Sequence, residues 1–190
     1  YDRFRLLGHT RDDAAGEAFD KVARALGLPY PGGPELEKLA LEGDPMKYPF
    51  HSALNSSAEE ADFSFSGIKT AVVYLMHNAA QKGETLSKAD IAASFQRAVC
   101  DNLTLKAVHA AKEHGFNTLA LAGGVSANRA LRSSLARACE EQGIRFCCPD
   151  FRYCTDNAAM IACAGHYALM AGELSGLDLN AAPELPLVQR

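Results

Sequence analysis

The stretch Thr118-Leu-Ala-Leu-Ala-Gly-Gly-Val-Ser-Ala-Asn128 decides the fold. Its first five residues form a continuous apolar run that predicts a buried strand over 118–122, and Gly123-Gly124 predicts a turn. A helix is predicted over 126–142 and a second apolar strand over 144–148. Because strand, helix and strand in this order form a parallel crossover, the sequence indicates an α/β fold with a parallel sheet.

Helices are predicted upstream of this crossover. Apolar residues that recur at three- and four-residue spacing predict helices over 13–28, 68–81 and 87–114, the last as one helix or as two. A short helix is predicted over 35–42, and the alternation of apolar and polar residues in 63–67 predicts a half-buried strand. The chain therefore combines a mainly helical first part with an α/β second part.

The composition is that of a globular protein without a broad basic surface. Of the 190 residues, 48% are hydrophobic and 22% are charged, and the formal net charge is -4. Any nucleic acid must therefore be held by a local patch or together with partner subunits. No apolar run approaches the roughly 18 residues of a membrane span, and the cysteines form no CxxC pair. We therefore expect a cytoplasmic protein without a structural zinc site.

The turn Gly123-Gly124 is the first candidate site. Two glycines at the carboxyl end of a strand, just before a helix, let a ligand approach the backbone closely, and the helix offers free N–H groups. Nucleotides bind in such crevices of α/β sheets. A tight structural turn would show the same two glycines, so the pattern by itself leaves both interpretations open.

Asp156 is the second candidate. Thr155 is expected to cap a final helix that ends near Gly172, and Asp156 at its start would then only complement the helix dipole. Alternatively, a carboxylate at a loop-to-helix junction beside the carboxyl end of a sheet can bind a metal ion. One carboxylate cannot make a metal site, so the sequence leaves this question open.

Asp20, on the first predicted helix, has two interpretations as well. Asp20 and Lys21 fit the solvated face of an amphipathic helix. Asp20 can also accept hydrogen bonds from ribose hydroxyls, as acidic residues do in nucleotide sites. In that case the Pro31-Gly-Gly-Pro34 turn, which contains Gly33, would lie against the same ligand.

Four motifs follow one another and cover almost the whole chain. They are Asp12-Asp-Ala-Ala-Gly-Glu-Ala-Phe-Asp-Lys21 with Tyr30-Pro-Gly-Gly-Pro34, Phe63-Ser-Phe-Ser-Gly-Ile-Lys-Thr70, Leu121-Ala-Gly-Gly-Val-Ser-Ala-Asn128 and Tyr153-Cys-Thr-Asp-Asn-Ala-Ala159. In these residues and this order the sequence resembles the TsaD family, the tRNA N6-adenosine threonylcarbamoyltransferases once described as O-sialoglycoprotein endopeptidases. The resemblance implies an α/β fold of the actin/Hsp70-like ATPase (ribonuclease H-like) type, of which this chain would be the C-terminal lobe with inserted helices.

The resemblance also implies roles for single residues. Asp20, Gly33 and Asn128 would contact the adenylate substrate. Asp156 would be the carboxylate ligand of one divalent metal ion per subunit, iron or zinc. The family transfers the threonylcarbamoyl group from threonylcarbamoyl-adenylate to N6 of the tRNA adenosine next to the anticodon, and it releases AMP. A bound metal would act there as a Lewis acid that grips the threonylcarbamoyl group.

By the same resemblance the partners are tRNA, threonylcarbamoyl-adenylate, a TsaB-like paralogue and a TsaE-like ATPase, and no membrane is involved. Four basic residues are candidates for contacts with the tRNA backbone, namely Lys69, Arg129, Arg132 and Arg137. We interpret the last two as part of a solvated helix face.

Two motifs of the family do not occur in this sequence. They are the HxxxH helix, which supplies two further metal ligands, and the Ser-Gly-Gly phosphate loop, and in the family both lie N-terminal to the part that this chain resembles. We therefore expect residues 1–190 to be a C-terminal lobe without its N-terminal lobe. Its helical insert would span about 13–115 and its βαβ nucleotide-binding core about 116–172. Such a lobe is expected to bind metal poorly and to be inactive by itself.

Two other functions compete with the transferase. A lobe without the histidines could be a catalytically silent scaffold, as one paralogue of the family is. Silent paralogues are, however, not expected to retain Asp156 and Asn128 together. A metalloprotease follows only from the older family description, since no HExxH motif is present and Asp156 alone cannot hold a hydrolytic zinc.

Overall fold

The computed structural model describes residues 4–50 and 61–181. Within these ranges the helices are α1 Ala15–Ala25, α2 Gly32–Ala40, α3 Ser66–Lys82, α4 Lys88–Glu113, α5 Arg129–Glu141 and α6 Ala158–Met170. The strands are β1 Thr118–Ala120 and β2 Arg145–Cys147, and two short 3-10 helices lie at Gly124–Ala127 and Phe151–Tyr153.

The strands β1 and β2 form the parallel pair that the sequence predicts. Thr118 lies opposite Arg145 and Ala120 lies opposite Cys147. The N–H of Leu121 extends this pairing by donating to the carbonyl of Cys147 over 2.8 Å. Helix α5 connects the two strands and packs against both of them. The α/β crossover is therefore confirmed, although its strands are shorter than predicted.

Helix α4 carries two hydrophobic clusters. Ser87 caps it by accepting a hydrogen bond from the N–H of Asp90 at 3.2 Å. From Ile91 to Val99 it packs with α1, α2 and α3, and from Cys100 onward it packs with α5 and the strands. The stretch that was predicted as one helix or two is therefore one continuous helix of 26 residues.

The strand predicted over 63–67 is wrong. Phe63 forms only an isolated bridge, and α3 already begins at Ser66. The reason is Asp12, whose Oδ1 accepts hydrogen bonds from the N–H groups of Phe65 at 2.8 Å and Ser66 at 3.0 Å. The first N–H groups of a helix have no partner within the helix, so a carboxylate at this position stabilises the start of α3.

Asp13 joins α1 to α3 through two lysines. Its carboxylate pairs with Lys21 at 2.7 Å and with Lys69 at 3.1 Å, and the Asp13 side chain is only 14% exposed. The hydrogen bond from Lys21, followed by that from Lys69, lowers the pKa of Asp13 from 3.8 to about 2. Lys69 is thus held in an ion pair within the protein, and its contact with tRNA stays a prediction.

Helix α6 is apolar on all sides, and none of its residues is buried among the described parts of the chain. Ile161 is 65% exposed and Met170 is 74% exposed. Contiguous apolar surface of this kind is typical of contact surfaces for further protein. Neither α6 nor any other described helix is both long and apolar enough to cross a membrane.

We expect Asp13→Asn to remove a pH-dependent part of the stability. Because the pKa of Asp13 is lower in the folded chain than in the unfolded chain, its ion pairs stabilise the fold fully above pH 3.8. This contribution is lost as the pH falls through 3.8 towards 2. Urea denaturation from neutral pH down to about pH 2 should therefore show a smaller loss of unfolding free energy in the variant.

The matched control is Asp178→Asn, which changes an exposed carboxylate. This variant should keep the pH dependence of the wild type. Superimposable pH profiles of Asp13→Asn and the wild type would show that the two lysines do not stabilise the folded state.

Candidate functional site

A cavity of about 850 Å³ lies at the carboxyl ends of β1 and β2. Its walls are the end of β1 with the following glycine turn, the end of β2, and the loop that precedes α6. The lining residues are Ala120, Leu121, Ala122, Gly123, Gly124, Cys147, Cys148, Pro149, Tyr153, Cys154, Thr155, Asp156 and Met160. The carboxyl ends of parallel strands are where α/β sheets bind ligands, so the cavity lies where a site is expected.

The glycine turn leaves its backbone open to this cavity. Gly123 has a φ of +85°, a conformation that favours glycine over every residue with a side chain. A Cβ added to Gly124 would have no neighbouring atom within 4 Å, so packing does not require glycine there. The space beside Gly124 is therefore available to a ligand.

Asp156 is an exposed carboxylate that the fold does not use. It lines the cavity, and it forms no hydrogen bond or ion pair with any described residue. The expectation that Thr155 caps the final helix is wrong. Asn157 caps α6 instead, since its Oδ1 accepts a hydrogen bond from the N–H of Met160 at 3.0 Å. The capping explanation therefore does not account for Asp156.

The described residues do not supply a complete ligand set for a metal ion. Asp156 offers carboxylate oxygens to the cavity, and carboxylates are ligands for divalent metals. The described residues contain no group of three or more His, Cys, Asp or Glu side chains that could hold a metal. At least part of a full ligand set would have to come from outside residues 4–50 and 61–181.

Asp20 and Gly33 lie next to each other, and neither is among the residues that line the cavity. Asp20 Oδ1 accepts hydrogen bonds from the N–H groups of Gly32 at 2.8 Å and Gly33 at 3.2 Å. Gly32 is packed tightly, since an added Cβ would lie 2.5 Å from the Cβ of Ala23, whereas the space beside Gly33 is empty to 4 Å. The backbone at Gly33 is therefore open to a ligand. The predicted contacts of Asp20 and Gly33 with the adenylate stay predictions.

Asn128 is buried between α4 and α5. Its Oδ1 accepts from the N–H of Leu131 at 2.9 Å, which caps α5, and its Nδ2 donates to Gln96 Oε1 at 2.8 Å. The thiol of Cys100 lies 3.7 Å from the same Oδ1, and burial raises the pKa of Cys100 to about 12. Asn128 therefore fixes the segment after the glycine turn to α4, and its contact with the adenylate stays a prediction.

Helices α1 and α2 pack against the segment that follows the glycine turn. A Cβ added to Gly16 of α1 would lie 3.3 Å from Val125, and Glu37 of α2 accepts a hydrogen bond from the N–H of Arg129 at 2.5 Å. These contacts hold α1, which carries Asp20, and α2, which carries Gly33, beside the turn. Glu37 was not singled out from the sequence, because a single glutamate on a short helix shows no pattern.

Arg132 is a second residue whose position the sequence did not reveal. The sequence predicts that Arg132 lies on a solvated helix face, and this prediction is wrong, since the side chain is partly buried and hydrogen-bonded within the protein. The structure turns its guanidinium towards the loop that precedes α6, where it lies 4.0 Å from the ring centre of Phe151. No local pattern marks this contact in the sequence, because Phe151 lies 19 positions further along the chain.

A parallel crossover with a ligand-sized cavity at the carboxyl ends of its strands is the arrangement of α/β proteins that bind nucleotides and small substrates. The family model described as tRNA N6-adenosine threonylcarbamoyltransferase (TsaD) matches residues 1–163. The chain belongs to this family, as its four motifs predict.

Curated relatives support the same assignment. A tRNA N6-adenosine threonylcarbamoyltransferase of Moorella thermoacetica is 54% identical over 183 residues, which are 96% of this chain and 53% of that protein. Relatives of the same name from Caldicellulosiruptor saccharolyticus and Clostridium botulinum are 49% and 48% identical over 190 residues, or 100% of this chain and 56% of each relative. The chain thus spans about half the length of the curated relatives it matches.

We expect Asn128→Ala to destabilise the fold by about 1–3 kcal/mol, because it removes the cap of α5 and leaves the buried Gln96 carbonyl without its donor. The free energy of unfolding from urea denaturation measures this effect. Ser133→Ala, an exposed change on the same helix, should alter it by less than about 0.5 kcal/mol. Equal stability of both variants would contradict the role of Asn128 as the joint between α4 and α5.

Proposed function

We propose that this chain is the C-terminal part of an enzyme that transfers the threonylcarbamoyl group from threonylcarbamoyl-adenylate to N6 of the tRNA adenosine next to the anticodon. The N6 nitrogen forms a bond to the carbamoyl carbonyl carbon and loses a proton. The bond from that carbon to the phosphate oxygen breaks, and AMP leaves. The observation that carries the proposal is Asp156, an unengaged carboxylate on the cavity wall of a chain that belongs to this family.

The proposed architecture is the C-terminal lobe of an actin-like ATPase (ribonuclease H-like) fold. A helical insert of about 13–115 would precede a βαβ core of about 116–172. Support comes from the parallel pairing of β1 and β2, the crossover helix α5, and the packing of both on the second half of α4. An N-terminal lobe would supply the remainder of the substrate site.

The adenylate would lie against Asp20 and Gly33, with Asn128 as the third contact. Support comes from the empty space beside Gly33 and from Asp20 Oδ2, which forms no hydrogen bond with any described residue and is therefore available to ribose hydroxyls. Helices α1 and α2 hold these groups beside the glycine turn. For Asn128 to contact the adenylate, its amide would have to bind the ligand while it also hydrogen-bonds Gln96 and caps α5.

Asp156 would be one ligand of a divalent metal, iron or zinc, whose two histidine ligands come from outside this chain. When bound, such a metal supplies Lewis-acid polarisation of the carbonyl of the transferred group. The role of this chain is to present the carboxylate at the cavity wall beside the glycine turn, so that metal and adenylate meet at one edge of the sheet.

The proposed partners are tRNA, a TsaB-like paralogue and a TsaE-like ATPase, in the cytoplasm. The net charge of -4 makes an extensive tRNA surface on this chain alone unfavourable, so tRNA would be bound together with other protein. The exposed apolar surface of α6 is suited to contact with further protein.

We expect Asp156→Asn in the complete enzyme to lower both bound metal and transfer, the latter by about 100-fold or more, because the amide is a weaker ligand than the carboxylate. Metal content per protein and transfer of labelled threonylcarbamoyl to tRNA are measured side by side. Asp101→Asn changes a carboxylate that is 58% exposed on α4, and it should leave both unchanged. Full metal content and activity in Asp156→Asn would rule out Asp156 as the ligand.

We expect Gly33→Val to weaken the binding of AMP to the complete enzyme by about tenfold or more, since the side chain would fill the space proposed for the ligand. Isothermal titration calorimetry measures the affinity. Lys38→Val, an exposed change on the same helix α2, should leave it within about twofold. Equal affinities of the two variants would place the adenylate elsewhere.

A further inference from the structure

The guanidinium of Arg132 connects three separate segments around the cavity. Its Nε donates a hydrogen bond to the carbonyl of Ser126 at 2.5 Å. A terminal nitrogen donates to the carbonyl of Pro149 at 2.7 Å and lies 3.1 Å from Cys154 Sγ. Ser126 follows the glycine turn, Pro149 follows β2, and Cys154 lies two residues before Asp156.

Only a guanidinium can make this set of contacts. Its donors are fixed in one plane, so it satisfies three acceptors at once only while the three segments keep their spacing. The ring of Phe151, 4.0 Å away, covers one face of the group and holds it in place. A lysine ammonium would keep the charge but would lose the planar fork and the stacking.

The position of Asp156 depends on this loop. Its carboxylate forms no hydrogen bond or ion pair with any described residue, so its place in the cavity follows the backbone of the loop rather than a polar contact within the described part of the chain. Cys154 is only 4% exposed. Of the three residues to which the Arg132 guanidinium donates, Cys154 is the nearest to Asp156 along the chain. The contacts of Arg132 therefore limit where the carboxylate can lie.

We propose that Arg132 is a positioning residue, which holds the loop before α6 against the segment after the glycine turn and thereby places the Asp156 carboxylate. The catalytic consequence rests on the proposed function, whereas the anchoring of the loop does not. This role replaces both interpretations of Arg132 from the sequence, a contact with the tRNA backbone and a place on a solvated helix face.

The first test measures the anchoring in this chain by the alkylation rate of each cysteine, read by mass spectrometry. Arg132→Lys should make Cys154 react about tenfold faster or more, because the loop opens more often. Cys100 and Cys139 are buried in the second hydrophobic cluster and should stay protected. Arg137→Lys, an exposed change on the same helix, should leave the Cys154 rate unchanged.

An unchanged Cys154 rate in Arg132→Lys would overturn the proposal. So would equal acceleration at Cys100, Cys139 and Cys154, because Arg132 would then support the whole fold rather than this loop.

The second test uses the complete enzyme. Arg132→Lys should lower kcat for transfer about 10- to 100-fold and change the KM for tRNA by less than about twofold, because a displaced carboxylate impairs the reaction and not the binding of tRNA. A raised KM for tRNA with unchanged kcat and a weaker salt dependence would instead assign Arg132 to a phosphate and overturn the proposal. If the wild-type enzyme transfers nothing, the proposed function fails, and the Cys154 rates still decide whether Arg132 anchors the loop.

Discussion

Both hydrophobic clusters of the structure are built on helix α4, and the arrangement of everything else depends on this shared helix. Its first half packs with α1, α2 and α3, and its second half packs with α5 and the two strands. A continuous helix of 26 residues is a rigid connection, so it fixes the helical part of the chain relative to the α/β crossover. The position of the Asp20–Gly33 pair is therefore fixed relative to the cavity.

A polar joint completes this connection beside the cavity. Asn128 caps α5 with its carbonyl oxygen and binds Gln96 of α4 with its amide nitrogen. Buried amides with satisfied partners tolerate little change in geometry, which is why such a joint specifies one arrangement of the helices. Asp20 has a comparable role, since its Oδ1 holds the turn of Gly32 and Gly33. These motif residues therefore serve the fold, whatever else they bind.

Asp156 differs from them in having no internal role. Asn157 caps α6, and Arg132 anchors the preceding loop, so neither the helix nor the loop requires the carboxylate. An acidic side chain on a cavity wall that the fold does not use is better explained by a ligand than by stability. Asp156 is thus available to a ligand without any loss of the contacts that build the site.

The sequence by itself determined the α/β crossover, the helices α1, α2, α3, α4, α5 and α6, and the family, because periodicity, glycine positions and motif spacing are local features. Tertiary structure alone decided the rest. Residues 63–67 do not form a strand because Asp12, 53 positions before Phe65, stabilises the start of α3. Asn128 meets Gln96 across 32 positions, and Arg132 reaches Cys154 across 22. Such contacts arise only when distant segments pack together, so no local pattern encodes them.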